Sequence, residues 1–152
     1  RGNLVTISPF GELCKWMNGA VNKGQTGKAG YNGNMNIINL SQKFDLFHEH
    51  WRPRIVGELN DSYVKLAKLK GEFVWHRHEN EDELFLVVKG KLQIKLRERD
   101  LWIGEGEFVI IPRGVEHCPV ADEEVQVLLL EPKSTVNTGD VQNERTVAAA
   151  WI

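Results

Sequence analysis

The sequence predicts an all-β domain, a sandwich or barrel of short strands, preceded by a short helix and an irregular N-terminal arm. Three observations lead to this fold class. Apolar runs of strand length recur beyond Pro53, turn-forming residues separate them at regular intervals, and no helical period of any length is present. The chain has 152 residues, which is typical of one domain and long enough to bury a core.

The first part of the chain differs in composition from the rest. Residues 18–36 read NGAVNKGQTGKAGYNGNMN, and such Gly- and Asn-rich sequence costs much entropy to order while it buries little apolar surface. Residues 1–36 are therefore predicted to form an N-terminal arm, and residues 37–152 a single domain.

The elements of that domain follow from local patterns. In residues 37–47, Ser41 can cap a short helix that carries Phe44 and Phe47 on one face. Pro53 marks a break, after which the predicted strands read RIVGEL, SYVKLAKL, EFVWHRH, ELFLVVK, KLQIKLR, EFVIIP and VQVLLLE. The apolar end of the chain, residues 147–152, is expected to dock on the body or on a partner.

Composition and charge exclude several function classes. A formal net charge of −2 gives no broad basic field for nucleic acid or anionic lipid. No run approaches the roughly 18 apolar residues that a membrane span requires, and no basic segment followed by an apolar one suggests a signal peptide. Cys14 and Cys118 are too far apart for a disulfide framework or a metal pair, so we expect reduced thiols in a cytoplasmic protein.

Four residues in two short segments have the types and spacing of a metal site. His76 and His78 are two apart, so on a strand both imidazoles point to one face. Glu83 follows an acidic turn and opens the next strand, and His117 restarts the chain after a turn at Gly114. Each residue alone could be an ordinary surface side chain. Together, three imidazoles and one carboxylate suit Mn, Fe, Ni, Cu or Zn, and suit Ca or Mg poorly.

The joint spacing resembles the cupin superfamily, whose first motif runs Gly, a short gap, His-x-His, three or four residues, Glu, six residues and Gly. Residues 71–90 match it through Gly71, His76, His78, Glu83 and Gly90. The second motif runs Gly, five residues, Pro-x-Gly, two residues, His, three residues and Asn. Residues 106–121 match it through Gly106, Pro112, Gly114 and His117.

Two positions depart from the pattern, and neither is a ligand. The gap between Gly71 and His76 is four residues where five are usual, and Ala121 stands where the motif has Asn. The short spacer between the motifs is that of small single-domain cupins, of the type that resembles mannose-6-phosphate isomerases. The resemblance implies a jelly roll that holds one divalent transition metal ion per chain on His76, His78, Glu83 and His117.

Such a site is compatible with more than one function. One hypothesis is a small-molecule metalloenzyme, either a dioxygenase or a sugar isomerase or epimerase; the other is a non-catalytic, metal-dependent binding module for a sugar or a small acid. No catalytic acid or base is assigned. Strand parity predicts an apolar lining of Val74, Phe85 and Val87.

Other polar residues near the motifs are interpreted as lying outside the site. Lys65 and Gln93 are conceivable lining, although an exposed strand face is favoured for each. Glu116 and Cys118 flank His117 and are expected to point away from the metal, because neighbouring residues on a strand face opposite sides.

The partner is predicted to be a second copy of the chain. Residues 84–88 read LFLVV, so this strand is apolar on both faces, and only one face can line the barrel. We expect a homodimer with the segment before Pro53 at its interface. The alternative is a monomer whose own N-terminal segment folds back over the sheet.

Overall fold

Eight strands and one short helix make up residues 36–152, the part of the chain that this computed structural model describes. The predicted arm, apart from Asn36, and Cys14 lie outside the described residues. The elements in chain order are α1 (Leu40–Phe44), β1 (Arg54–Leu59), β2 (Ser62–Glu72), β3 (Glu83–Lys89), β4 (Leu92–Leu96), β5 (Asp100–Ile103), β6 (Phe108–Ile111), β7 (His117–Pro132) and β8 (Ala150–Trp151). The all-β prediction is confirmed. No helix among these residues has the length and apolar character needed to cross a membrane.

Strand β7, 16 residues long, organises the jelly roll. It pairs with β2 in antiparallel register from Ser62↔Pro132 to Glu72↔Val120. Its other edge is shared, because β4 pairs with residues 117–120 and β3 pairs with residues 126–130. One long strand thus joins the β4–β5 pair and the β3–β6 pair, and the inward faces of both pairs enclose one core.

The core follows the alternation of the strands. Along β7, Val125, Val127 and Leu129 are buried, and the intervening residues are only partly buried. They pack with Phe85 and Val87 of β3 in a single apolar cluster. Because burying each such side chain contributes roughly 1.5–3 kcal/mol, this cluster fixes the register that positions the ends of β3 and β7.

The helix is present but its predicted cap is wrong. Asn39, with extended backbone, accepts a hydrogen bond from the Gln42 amide at 3.1 Å, and Ser41 lies inside the helix. The rings of Phe44 and Phe47 lie 5.8 Å apart, as expected from their spacing. Both rings are buried in a second cluster on the outer face of the sheet.

The predicted strand over residues 72–78 is also wrong. Strand β2 ends at Glu72, and the histidines lie in an irregular segment with one isolated bridge, His76↔His117. The Phe73 amide still donates to the Pro119 carbonyl of β7 at 3.0 Å, but two carbonyls accept from loops: His78 from the Gly114 amide at 2.7 Å, and Arg77 from the Asp140 amide at 3.0 Å.

The C-terminal segment docks on the body, one of the two expected outcomes. Strand β8 pairs in parallel with β1, and the Ile152 amide donates to the Ile55 carbonyl at 3.1 Å. The residues between β7 and β8 are therefore held over one end of the barrel. Gly139 lies there with φ +55°, and a Cβ at this position would overlap the Arg77 carbonyl, so a glycine is required for the close approach.

Candidate metal centre

All four residues predicted as metal ligands meet at one point in the barrel. One ligand atom from each of His76, His78, Glu83 and His117 lies within 4.8 Å of every other. All four side chains are buried, with exposed fractions of 5% or less. This is the geometry of a group that could hold a metal ion.

The fold positions these side chains at the first residues of two strands and at one isolated β-bridge. Glu83 is the first residue of β3 and His117 the first of β7. The His76 and His117 backbones exchange two hydrogen bonds, at 3.0 and 2.9 Å, which ties the irregular histidine segment to the start of β7. The segment is held from the other side by Asp140, whose side chain accepts a hydrogen bond from the Arg77 amide at 3.1 Å.

Backbone carbonyls fix the orientation of two imidazoles. The Nδ1 atom of His76 lies 2.9 Å from the Val74 carbonyl, and that of His117 lies 3.0 Å from the Val115 carbonyl. Because a carbonyl oxygen can only accept, Nδ1 carries the proton in both rings. The unprotonated Nε2 of each ring is left to bind a metal, and such a second partner is a common feature of metal-binding histidines.

Three buried atoms of this group have no hydrogen-bond partner within residues 36–152: Nε2 of His78, Nε2 of His117 and Oε2 of Glu83. Glu83 Oε2 lies 3.2 Å from the first nitrogen and 3.4 Å from the second, without hydrogen-bond geometry. Leaving a buried polar atom unsatisfied costs about 1–3 kcal/mol. A divalent ion would satisfy all three atoms at once, so the donor set fits a transition metal.

The electrostatics of the cluster favour the protonation states of Glu83 and His76 that bind a cation. Burial opposes ionisation of Glu83, but the adjacent His117 and His78 lower the pKa of its carboxyl to about 2. Burial, followed by the charge of His117, lowers the pKa of His76 to about 4. Burial also lowers the pKa of His78, but Glu83 offsets this effect and the pKa is raised overall. At neutral pH the carboxylate is ionised and His76 is neutral.

A small inner cavity of about 30 Å³ adjoins this group. This is room for roughly two water molecules. Phe73, Phe85 and Leu129 provide apolar walls, and His76, Glu83 and Glu131 provide polar ones. Of the predicted lining, Phe85 faces the cavity, while Val87 packs in the core and Val74 is half-buried.

One further pair of charged residues was missed by the sequence analysis. Lys65 was assigned to an exposed strand face, and this is wrong: it is 4% exposed, and its Nζ lies 2.6 Å from Oε1 of Glu131. Burial, followed by the charge of Glu83, raises the pKa of Glu131 to about 7 against the effect of Lys65. Strand parity places each residue on the inward face, because Lys65 alternates with the buried Ala67 and Glu131 with the buried Leu129, but the register of β2 and β7 is needed to pair them.

The other polar residues lie outside the cluster, as expected. Glu116 forms two hydrogen bonds with Arg97, both at 2.7 Å, on the surface. The Gln93 amide donates to Asp100 at 2.8 Å. Cys118 is fully buried, and burial, followed by the charge of Glu72, raises the pKa of its thiol to about 11. Such a thiol is a poor metal ligand and a poor nucleophile.

A second, outer cavity of about 510 Å³ lies beside the inner one. Pro53 and Asn137 line both cavities, and Lys65 lines the outer one. Its other walls include Tyr63, Trp151 and Lys133. This volume is that of a small-molecule site, and its lining combines aromatic surface with a cation and hydroxyl groups.

Comparison with known proteins supports the same reading of the fold and the motifs. A family model described as "Cupin domain" matches residues 62–131. The crystal structure of a cupin-2 domain containing protein from Shewanella frigidimarina is 48% identical and superposes with a TM-score of 0.63, over 63% of this chain and 94% of that one.

Two curated proteins match shorter regions. An uncharacterized protein, YdbB, of Bacillus subtilis is 36% identical over 63 residues, 41% of this chain and 56% of its own length. The 3-hydroxyanthranilate 3,4-dioxygenase 2 of Aspergillus clavatus is 30% identical over 89 residues, 55% of this chain and 47% of its own length. The chain thus spans about half the length of the curated relatives it matches.

Proposed function

This chain belongs to the cupin superfamily, and we propose that it is a small-molecule metalloenzyme with one divalent transition metal ion per chain. The proposed ligands are His76, His78, Glu83 and His117. The observation that carries the proposal is the set of three buried, unpartnered atoms, two imidazole nitrogens and one carboxylate oxygen, that face one another within the cluster.

The residues around the cluster prepare it for a cation. The Val74 and Val115 carbonyls hold two rings with Nε2 directed away from their hydrogen-bonded side. Glu83 is ionised at neutral pH, so no proton has to leave it when a cation binds. The apolar walls limit water, which strengthens every electrostatic interaction inside. A bound metal would supply an open coordination position for water, dioxygen or substrate.

Among enzymes, a dioxygenase acting on a small aromatic acid is the first candidate. It is supported by the similarity to a 3-hydroxyanthranilate dioxygenase and by the aromatic lining of the outer cavity. We expect the chain loaded anaerobically with Fe(II) to consume oxygen when 3-hydroxyanthranilate is added, as measured with an oxygen electrode. Zinc-loaded protein is the control. Metal bound with no turnover of aromatic acids or sugars would instead favour the binding module.

A sugar isomerase or epimerase is the second candidate, and Glu131 is the observation that favours it. Isomerisation must move a proton, and this buried carboxyl on the cavity wall has a pKa of about 7, close to that of an efficient acid or base. Hexose phosphates incubated with the metal-loaded chain in D₂O would gain deuterium at carbon if this candidate is right. Mass spectrometry of the recovered sugar measures the exchange.

We propose further that the chain pairs with a second copy through the outer face of β3 and β6. Cross-strand rows place Ile110, Leu84 and Leu130 side by side, and likewise Phe108, Leu86 and Leu128. Phe44 and Phe47 cover the neighbouring part of this face in the same chain. Phe108 and Ile110 remain 62% and 51% exposed, and such a contiguous apolar surface is typical of an interface.

Light scattering tests this dimer. We expect a mass of twice 17.3 kDa at micromolar concentration, and a return to 17.3 kDa in Ile110→Lys, since a buried lysine would oppose association. Leu59→Lys, at a comparably exposed leucine of β1, is the matched control and should leave the dimer intact. A native mass of 17.3 kDa would contradict the proposal.

The cytoplasmic location of the protein stays a prediction.

A further inference from the structure

The buried ion pair formed by Lys65 and Glu131 leaves one carboxylate oxygen without a partner among the described residues, which a purely structural role does not explain. Lys65 Nζ contacts Oε1 of Glu131 at 2.6 Å, and the two side chains are 5% and 1% exposed. The second oxygen, Oε2, is buried and has no hydrogen-bond partner in the part of the chain that the structure describes. Glu131 lines the inner cavity together with His76 and Glu83.

This arrangement is costly for the folded protein. Removing two charges from water is repaid only when the remaining lone pairs are also satisfied, and here one carboxylate oxygen is not. An apolar pair would fit the inward face of β2 and β7, whose neighbouring inward residues are Ala67 and Leu129. The unpartnered oxygen therefore points to a donor that is supplied by a ligand.

We propose that Glu131 accepts a hydrogen bond from a hydroxyl group of the ligand in the inner cavity, so that the site selects small hydroxy acids and related hydroxylated ligands. The inference rests on the proposed function, because the cavity that Glu131 lines also adjoins the proposed metal ligands. Lys65 acts as a positioning residue: by holding Oε1, it leaves Oε2 as the acceptor.

The two cavities set the size and shape of such a ligand. The inner cavity, of about 30 Å³, admits only a few atoms, and the outer one, of about 510 Å³, shares Pro53 and Asn137 with it. A ligand would thus place a short hydroxylated end beside Glu131, and any larger body would lie in the outer cavity. Glycolate is the smallest probe of that end, and acetate is its counterpart without the hydroxyl.

The test uses the full-length chain loaded with Co(II) and titrated at pH 8 with glycolate and with acetate, binding being followed by visible absorption. Chelation of cobalt by glycolate contributes equally in every variant, so the ratio of the two dissociation constants is compared between variants. In Glu131→Gln, the amide oxygen keeps the bond to Lys65 and the NH₂ group replaces Oε2, which turns an acceptor into a donor.

We expect this variant to retain cobalt and to lose the glycolate preference on the order of tenfold, as for a hydrogen bond to a charged group. Removal of the carboxylate charge affects both anions alike, so the ratio of the two constants reports the hydroxyl contact. Glu123→Gln, the same substitution at an exposed position of β7, should alter neither constant. If Glu131→Gln does not fold, Lys65→Met/Glu131→Leu removes both charges with similar volume and should show the same loss.

The outcomes separate the two proposals. Equal glycolate preference in the native chain and in a folded, cobalt-loaded variant would overturn the role of Glu131 and leave the metal site intact. Failure of the native chain to retain cobalt would overturn the proposed function, and the role of Glu131 with it. If Glu131→Gln folds but loses cobalt, the comparison is made in Lys65→Met/Glu131→Leu, and an unchanged glycolate preference in that variant would overturn the role of Glu131.

Discussion

His78→Ala is expected to abolish metal retention, whereas Cys118→Ala is expected to keep it. The Nε2 atom of His78 is one of the three unpartnered buried atoms of the cluster. Loss of a partner that only orients a ligand already costs about 10–100-fold in metal affinity, so loss of a ligand should exceed that range. Metal content after dialysis, measured by elemental analysis of protein purified without chelator, checks the prediction.

The cysteine variant makes the comparison specific. Cys118 is as buried as the histidines and directly follows His117, but its thiol donates weakly to the Phe73 carbonyl at 3.8 Å and is not part of the cluster. Both variants remove a buried side chain near the same strand start. Loss of metal from both would mean that the fold, and not the ligand set, was damaged, and retention by His78→Ala would contradict the site.

The identity of the metal ligands is the part of the site that the sequence predicts well. The four cluster residues could be identified because the spacing of His, His, Glu and His is preserved in a motif, and the structure brings them together. The two-residue spacing of His76 and His78 predicts a shared face only on a regular strand. Residues 73–78 instead leave the sheet, and the His78 and Arg77 carbonyls accept from the Gly114 and Asp140 amides.

That error has a physical cause that no local pattern reveals. The carbonyls of His78 and Arg77 accept from the Gly114 and Asp140 amides, which lie 36 and 63 positions further along the chain, respectively. The alternation of EFVWHRH agrees with a strand, but long-range hydrogen bonds decide the conformation.

The prediction of Ser41 as the helix cap is wrong for a simpler reason. Asn39 lies two residues earlier and is an equally good capping residue.

Lys65 and Glu131 could not be interpreted correctly from residue type alone. Lysine and glutamate are almost never fully buried unless paired, so an exposed face was the sensible expectation for Lys65. Only the register of β2 and β7 shows that the pair exists: Lys65 stands opposite Leu129, and Glu131 is two residues further on the same face. Recognising a buried pair thus requires the strand pairing as well as the parity.

Lys65→Met is expected to destabilise the metal-free protein by about 3–5 kcal/mol, because it leaves the Glu131 carboxylate buried without the ammonium group that contacts it. Glu131 also lies near the Glu83 charge, which already raises its pKa. Adding Glu131→Leu should recover most of the loss, since a well-packed apolar pair is often as stable as the ion pair it replaces. Urea unfolding of both variants measures the difference.

The loss of stability in Lys65→Met is expected to increase with pH. The pKa of Glu131 is raised from 4.5 to about 7, so the folded chain binds a proton that the unfolded chain has released. Its contribution to stability is complete below pH 4.5 and is lost as pH rises through about 7. Removing Lys65 should raise this pKa further, so the deficit of Lys65→Met should be larger at pH 8 than at pH 6.

The same substitution at an exposed ion pair separates the effect of burial from the effect of losing a lysine charge. Lys133 pairs with Glu58 at 3.0 Å on the surface, where water screens the interaction. Lys133→Met should therefore unfold at nearly the native urea concentration at both pH values. A deficit in Lys65→Met that is equal at pH 6 and pH 8, or that Glu131→Leu does not relieve, would mean that Lys65 stabilises the barrel through packing of its alkyl chain and not through Glu131.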